Sequence, residues 1–166
     1  MALKLISLLT IIIFSPVWAF AGEHNESKIL PKVTNEIYKT NCGSCHFAYQ
    51  PGLLPAKSWL AIIDSPGGHP GGSLSLDKKT KAEIRKYLTQ NSAENTRSKR
   101  SQKILASIGS GVPTRISEVP YIREKHHEIN QEVFLKKSIG SRGNCIACHK
   151  TAESGDYDDD NVTIPK

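Results

Sequence analysis

Apolar residues recur at helical spacing along much of this 166-residue chain. The clearest stripe lies in residues 77–90, where Ile84, Tyr87 and Leu88 share one face and lysines occupy the opposite face. Shorter stripes of the same kind lie in residues 55–63 and 97–108. No stretch shows sustained alternation of apolar and polar residues. The pattern therefore predicts an all-α protein with long loops.

Local signals predict where further helices begin. Pro31 is expected to open a helix that runs into Cys42, since proline suits the first helical position. Ser117 is expected to cap a helix that carries His126 and His127. Another short helix is expected at residues 132–137, and a Gly/Pro-rich loop surrounds His69.

Residues 1–21 have the pattern of a secretory signal peptide. Lys4 supplies a positive charge, residues 5–14 are apolar, and residues 19–21 form an A-x-A cleavage site. A retained membrane anchor is the alternative, but the apolar run is about half of the roughly 20 residues that span a bilayer. Residues 22–166 are therefore expected to form the mature, periplasmic protein.

All four cysteines belong to two C-x-x-C-H motifs, at residues 42–46 and 145–149. This motif attaches c-type haem: the two thiols form thioethers with the porphyrin, and the adjacent histidine binds the iron. A zinc site, a thioredoxin-like pair and disulfides are the alternatives. Zinc ribbons do not need a histidine after both pairs, and thioredoxin motifs occur in βαβ units. The motifs thus predict two haem c groups bound by Cys42, Cys45, Cys145 and Cys148, with His46 and His149 as proximal ligands.

The sixth ligand of each iron cannot be methionine, because Met1 is the only methionine in the chain. Histidine, a weaker ligand such as lysine or asparagine, and an open site are the remaining possibilities. Four further histidines survive export, and His24 is the weakest candidate because it lies near the mature N-terminus. His69 follows His46 by 23 residues, and His126 precedes His149 by 23. This symmetry favours a distal histidine from the same half of the chain for each haem, while crossed ligation stays open. His127 is kept as an alternative to His126, since only one of two adjacent helical residues can face an iron.

Composition supports a core that is partly cofactor. Apolar residues make up 38% of the chain, and the formal net charge is +6. The positive residues cluster between residues 78 and 103, and acidic residues follow the second motif. The basic cluster is either a solvated helix surface or a docking face for an acidic partner. Nucleic-acid binding has no support, because the protein is predicted to be exported and its basic residues are not interleaved with aromatic ones.

The chain resembles the small periplasmic dihaem cytochrome c family over nearly all of its mature length. The resemblance rests on residues 38–46, 53–55 with Trp59, His69 with 75–77, 87–88, 91–93, 113–116, 123–127, 144–145 and 162–165. It implies a small c-type cytochrome fold around two covalent haems, with bis-histidine ligation and with His69 and His126 as the distal ligands. The expected single dihaem domain has a first-haem half at about residues 22–95 and a second-haem half at about 96–166.

The resemblance also implies one-electron transfer without substrate turnover, so the protein is expected not to be an enzyme. Members of this family pair with a membrane b-type cytochrome and, in some bacteria, with an oxygen-binding monohaem c-type cytochrome. Redox proteins are therefore the expected partners, with membrane contact only through them. The alternatives are a sensor or small peroxidase with one open iron, and a subunit docked permanently in a membrane complex.

Overall fold

The computed structural model describes residues 27–64, 69, 72 and 74–166. Short helices joined by loops and 3₁₀ turns make up this part of the chain, and it contains no β-strand, only an isolated bridge between His149 and Val162. The α-helices are α1 (Glu36–Cys42), α2 (Ala56–Asp64), α3 (Lys78–Gln90), α4 (Lys99–Ile108), α5 (Pro120–Lys125), α6 (Gln131–Leu135) and α7 (Cys145–Cys148). The prediction of an all-α fold is confirmed. The proposed signal peptide and His24 lie outside the described residues.

Among the helices of the described ranges, none is both long enough and apolar enough to cross a bilayer.

Side chains cap the first turn of the two longest helices. Asp77 precedes α3, and its carboxylate accepts hydrogen bonds from the backbone N–H groups of Lys79 and Thr80. Ser98 precedes α4, and its hydroxyl oxygen accepts a bond from the Arg100 N–H. Each cap satisfies N–H groups that have no partner within the helix, which contributes about 1 kcal/mol.

Two expected helix starts are wrong. α1 begins at Glu36 rather than at Pro31, because the Asn35 side chain caps it by accepting from the Tyr38 N–H at 2.7 Å. α5 begins at Pro120 rather than after Ser117, since residues 116–118 form a separate 3₁₀ turn.

The C-terminal end of α5 also differs from the expectation. The helix stops at Lys125, so the two adjacent histidines follow it instead of lying within it. Because His126 is the C-cap and not a helical residue, the relative direction of these two side chains is set by a turn.

The core joins elements from the first and second halves of the described chain. Its main cluster contains Leu54, Ile84 and Ile104, none of which exposes any surface, and the neighbours Leu30, Tyr38, Trp59, Leu88 and Val119. Burying a large apolar side chain contributes about 1.5–3 kcal/mol relative to exposure. A second, smaller cluster contains Phe134, Ile139 and Ala147 and lies beside the second C-x-x-C-H motif. The core therefore holds helices from both halves against one another.

Hydrogen bonds between distant segments complete this arrangement. The Gln50 side-chain amide donates to the Ala152 carbonyl at 2.7 Å, and the Tyr157 hydroxyl donates to the Gln50 Oε1 at 2.6 Å. Near them, the Leu30 N–H donates to the Gly155 carbonyl at 2.9 Å. The segment that follows the first motif is thus bonded to the segment that follows the second motif.

Candidate functional site

The first C-x-x-C-H motif starts at the end of α1. Cys42 is the last helical residue, and the Gly43 N–H donates to the Lys39 carbonyl at 2.8 Å. A Cβ at position 43 would collide with that carbonyl, so the sharp turn out of α1 requires glycine here. The turn places Cys45 at the surface and leaves His46 partly buried.

The second motif forms the one-turn helix α7. The Asn144 side chain, just before it, donates to the Ile139 carbonyl at 2.8 Å, and the His149 N–H donates to the Cys145 carbonyl at 2.8 Å. These bonds fix both ends of the motif and turn the His149 ring away from the helix, into the cavity that the motif lines.

The first cysteine of each motif is more enclosed than the second. Burial raises the pKa of both the Cys42 and the Cys145 thiol to about 11. Cys45 is exposed and Cys148 is partly exposed. Both motifs therefore present one inner and one outer thiol, an arrangement suited to attaching a flat group along one edge.

Each motif histidine faces one of the predicted distal histidines. The ring centroids of His46 and His69 are 5.9 Å apart, and those of His126 and His149 are 6.0 Å apart. An imidazole nitrogen lies about 2 Å from a bound metal ion, so two rings on opposite sides of one ion have centroids about 6 Å apart. Both pairs have the separation that a shared iron requires, and each pair comes from one half of the chain.

The two pairs differ in the angle between their ring planes. The planes of His46 and His69 are nearly parallel, at 13°, whereas those of His126 and His149 are inclined at 70°. The two sites are therefore not equivalent by geometry.

Hydrogen bonds fix the orientation of most of these rings. The Nδ1 atom of His46 lies 2.8 Å from the Phe47 carbonyl oxygen, and that of His126 lies 2.7 Å from the Ile122 carbonyl oxygen. Because a carbonyl can only accept, each Nδ1 carries the proton and each Nε2 is free to bind a metal. His149 differs: its Nδ1 is buried and has no hydrogen-bond partner in the described part of the chain.

The electrostatics favour neutral imidazoles at two of these positions. Burial, the His126 ring and the Arg100 guanidinium lower the pKa of His149. Burial and the His46 ring lower the pKa of His69, against a raising contribution from a hydrogen bond at Gly72. A neutral imidazole is the form that binds a metal, so the protonation states suit ligation.

His127 differs from these two histidines in its exposure and in the direction of its pKa shift. Its side chain is 60% exposed, and its Nδ1 lies 2.6 Å from the Glu124 carbonyl oxygen. That hydrogen bond and the charges of Glu124 and Glu128 raise the pKa of His127. His127 therefore points to solvent, and His126 is the residue whose ring faces that of His149.

A single cavity of about 870 Å³ unites these groups. Apolar side chains such as Leu53, Trp59 and Phe134 line much of it. All of the cysteines and the paired histidines border it, namely Cys42, Cys45, His46, His69, His126, Cys145, Cys148 and His149. Paired thiols beside opposed imidazoles in an apolar cavity fit two covalently attached haems.

Three residues at this cavity make contacts that the sequence does not indicate. The Tyr49 ring packs against His46, with centroids 4.7 Å apart, and its hydroxyl donates to the Gly143 carbonyl at 2.6 Å. The Tyr157 ring lies 5.6 Å from that of His149, and the Arg100 guanidinium lies 5.4 Å from the Tyr157 ring. A tyrosine soon after the first motif and one in the acidic tail were visible in the sequence, but nothing in their spacing reveals that Tyr49 bonds to Gly143 or that Arg100 lies over Tyr157.

Comparison with known proteins finds a family and solved structures that are similar to this chain. The model of the family described as dihaem cytochrome c matches residues 38–157. A solved diheme cytochrome c from Rhodobacter sphaeroides is 36% identical, with a TM-score of 0.64, and the match covers 75% of this chain and 98% of that one. The diheme cytochrome type c from Shewanella baltica OS155 is also 36% identical with a TM-score of 0.64, over 79% and 93% of the two chains.

A second structure, of DHC purified from Rhodobacter sphaeroides, is 37% identical with a TM-score of 0.59, over 75% of this chain and 97% of that one. None of the curated proteins matches significantly.

The fold and the site define a small c-type cytochrome with two attachment motifs. The family match covers more than half of the chain, and the solved relatives exceed 30% identity. The chain belongs to the dihaem cytochrome c family, and it carries two covalently attached c-type haems. The resemblance seen in the sequence is confirmed, and an electron-carrying role follows for the class.

Proposed function

We propose that this protein is a periplasmic one-electron carrier in which both haem irons have two histidine ligands. The observation that carries the proposal is the pairing of His46 with His69 and of His149 with His126, each at about 6 Å between ring centroids. His46 and His149 are the proximal ligands, and His69 and His126 are the distal ones.

These pairs explain why the site suits electron transfer and not turnover. Bound haem iron supplies reversible one-electron exchange. With an imidazole on each side, the chain leaves neither iron a position for a substrate. The bonds from His46 to Phe47 and from His126 to Ile122 hold the rings in place, so little reorganisation accompanies a change of charge. The protein is accordingly proposed to be a carrier and not an enzyme.

The proposed location rests on the sequence. Residues 1–21 have the pattern of a cleaved signal peptide, and covalent haem attachment takes place on the far side of the membrane. The mature protein is then expected to begin at Gly22. Mass spectrometry of protein from the periplasmic fraction tests this, since cleavage elsewhere or retention of residues 1–21 gives a different mass.

The proposed partners are other redox proteins, among them a membrane b-type cytochrome and a monohaem c-type cytochrome. The outer face of α3 supports docking to an acidic surface, because Lys78, Lys79 and Lys86 are exposed there without a carboxylate partner among the described residues. Two neighbouring cations of α3, Lys81 and Arg85, instead pair with Asp64 at 3.2 and 3.5 Å. Rates of electron exchange that fall with rising salt would support this docking surface.

Substitution of the distal histidines tests the ligand assignment. His69→Ala and His126→Ala should each open one iron, so that the reduced protein binds carbon monoxide at one haem of the two. His127→Ala is the matched control, and it should bind none. Carbon monoxide binding in His127→Ala but not in His126→Ala would overturn the assignment of the second distal ligand.

A further inference from the structure

Arg100 occupies an unusual place among the charged residues of this chain. It lies in the first turn of α4, half-buried, and it borders the cavity that holds the paired histidines. Its Nη2 donates to the Tyr157 carbonyl at 3.1 Å. Its Nε is fully enclosed and has no hydrogen-bond partner among the residues that the structure describes. A buried guanidinium N–H without an acceptor is destabilising, and an anion in the cavity is the acceptor that best suits a positive charge.

The protein itself supplies no such anion within the described ranges. No carboxylate forms an ion pair with Arg100, although the acidic tail lies close by. Asp159 pairs with Lys125 at 3.1 Å, and Asp158 pairs with Lys28 at 3.7 Å. Asp156 accepts from the Asn161 side chain and from the Asp158 N–H. The nearby carboxylates are thus engaged elsewhere, and the guanidinium is left for a ligand of the cavity.

We propose that Arg100 binds a propionate group of the haem held by His149 and His126, and that it thereby makes this haem the higher-potential one of the two. The inference rests on the proposed bis-histidine carrier. Propionates are the anionic groups that a bound haem contributes, and a guanidinium binds a carboxylate through two parallel N–H donors. Arg100 is placed for this haem because it lies over Tyr157, whose ring adjoins His149.

The direction of the effect on potential follows from charge. A propionate that is left unpaired favours the oxidised iron, which carries one more positive charge, and so lowers the potential. Neutralising that propionate with Arg100 removes the bias and raises the potential. The proximal ligands act in the same direction. His46 donates from Nδ1 to a carbonyl, which makes it the stronger donor to iron, whereas no described residue accepts from Nδ1 of His149.

The test is a potentiometric titration of the holo-protein, with both haems followed by visible spectroscopy and by EPR. Arg100→Gln removes the positive charge. Arg100→Lys keeps the charge but lacks the two parallel N–H donors of a guanidinium. Lys99→Gln is the matched control, because it removes an exposed positive charge from the preceding position on the same helix. Haem content per chain is measured for each variant, so that loss of cofactor is not mistaken for a shift in potential.

We expect Arg100→Gln to lower the potential of the higher-potential haem alone, Arg100→Lys to restore part of the shift, and Lys99→Gln to change neither haem. The affected haem should be the one whose EPR signal belongs to the inclined imidazole pair. An equal shift in both haems, a shift confined to the other haem, or no shift in Arg100→Gln would overturn the proposal. None of these outcomes bears on whether the irons are six-coordinate, which carbon monoxide binding tests separately.

Discussion

The Tyr49 hydroxyl donates a hydrogen bond to the Gly143 carbonyl at 2.6 Å, while the Tyr49 ring lies against His46. Gly143 lies two residues before the second C-x-x-C-H motif, and Tyr49 lies three residues after the first. One side chain therefore links the histidine of the first motif to the residue segment that enters the second motif. This contact fixes the position of one attachment motif relative to the other.

Removing that hydroxyl should weaken the link without removing the ring. Tyr49→Phe is expected to lower the free energy of unfolding of the holo-protein by about 1–3 kcal/mol, because the partly buried Gly143 carbonyl loses its partner. Tyr87→Phe is the control. Among the described residues, the Tyr87 hydroxyl takes part in one exposed hydrogen bond, which it accepts from the Thr34 N–H at 3.2 Å, so its loss should lower the free energy of unfolding less. Urea unfolding followed by haem absorbance measures both, and equal costs would contradict the role given to Tyr49.

Gly155 should be the least replaceable glycine of the C-terminal segment. Its φ is +83°, and an added Cβ would collide with the Leu30 carbonyl. Gly155→Ala therefore combines backbone strain of about 1–3 kcal/mol with displacement of the N-terminal segment. Gly140→Ala is matched in φ, at +82°, but its Cβ would meet no atom within 4 Å. Thermal unfolding should show a clearly larger loss for Gly155→Ala.

The different ring angles predict two distinct EPR signals from the oxidised protein. Nearly parallel imidazoles, as in the His46–His69 pair at 13°, give a rhombic low-spin spectrum. Inclined imidazoles, as in the His126–His149 pair at 70°, give a more anisotropic spectrum with a larger maximum g value. Each of the two signals should account for one haem per chain. A single type of low-spin signal would show that the two ligand pairs share one geometry.

His127 is expected to titrate as an exposed side chain that is not bound to iron. Its hydrogen bond to the Glu124 carbonyl and the two neighbouring carboxylates raise its pKa above the ordinary value of 6.5. A raised folded-state pKa stabilises the protein at low pH, and this contribution is lost as the pH rises through that pKa. NMR titration of the holo-protein should detect an imidazole whose pKa is raised in this way, and His127→Gln should abolish that signal. Persistence of the signal in that variant would contradict the assignment.

The parts of the structure that sequence reasoning reached are those that depend on local patterns. The apolar stripes at residues 77–90 and 97–108 specify helices from a few neighbouring residues, and α3 and α4 form there. The C-x-x-C-H spacing specifies haem attachment because the chemistry requires adjacent groups. The separations of His69 and His126 from their motifs indicated candidate ligands, and the structure brings each beside its motif histidine.

The parts that sequence reasoning missed depend on contacts between distant residues. The carbonyl that accepts from Tyr49 and the one that Arg100 contacts are backbone groups, and any residue type presents them. The early end of α5 depends on how the chain turns after Lys125, which changes the surroundings of His126 without any change in the apolar pattern. Such features follow from tertiary packing, which overrides local propensity.

Carbon monoxide binding to the reduced wild-type protein tests most directly whether both irons are closed by histidine. Visible spectra are recorded before and after the gas is added, under conditions in which both haems are reduced. The paired imidazoles predict no spectral change, since neither iron has a free position. A change that accounts for one haem per chain would contradict bis-histidine ligation at that site and would favour a ligand-binding or catalytic cytochrome instead.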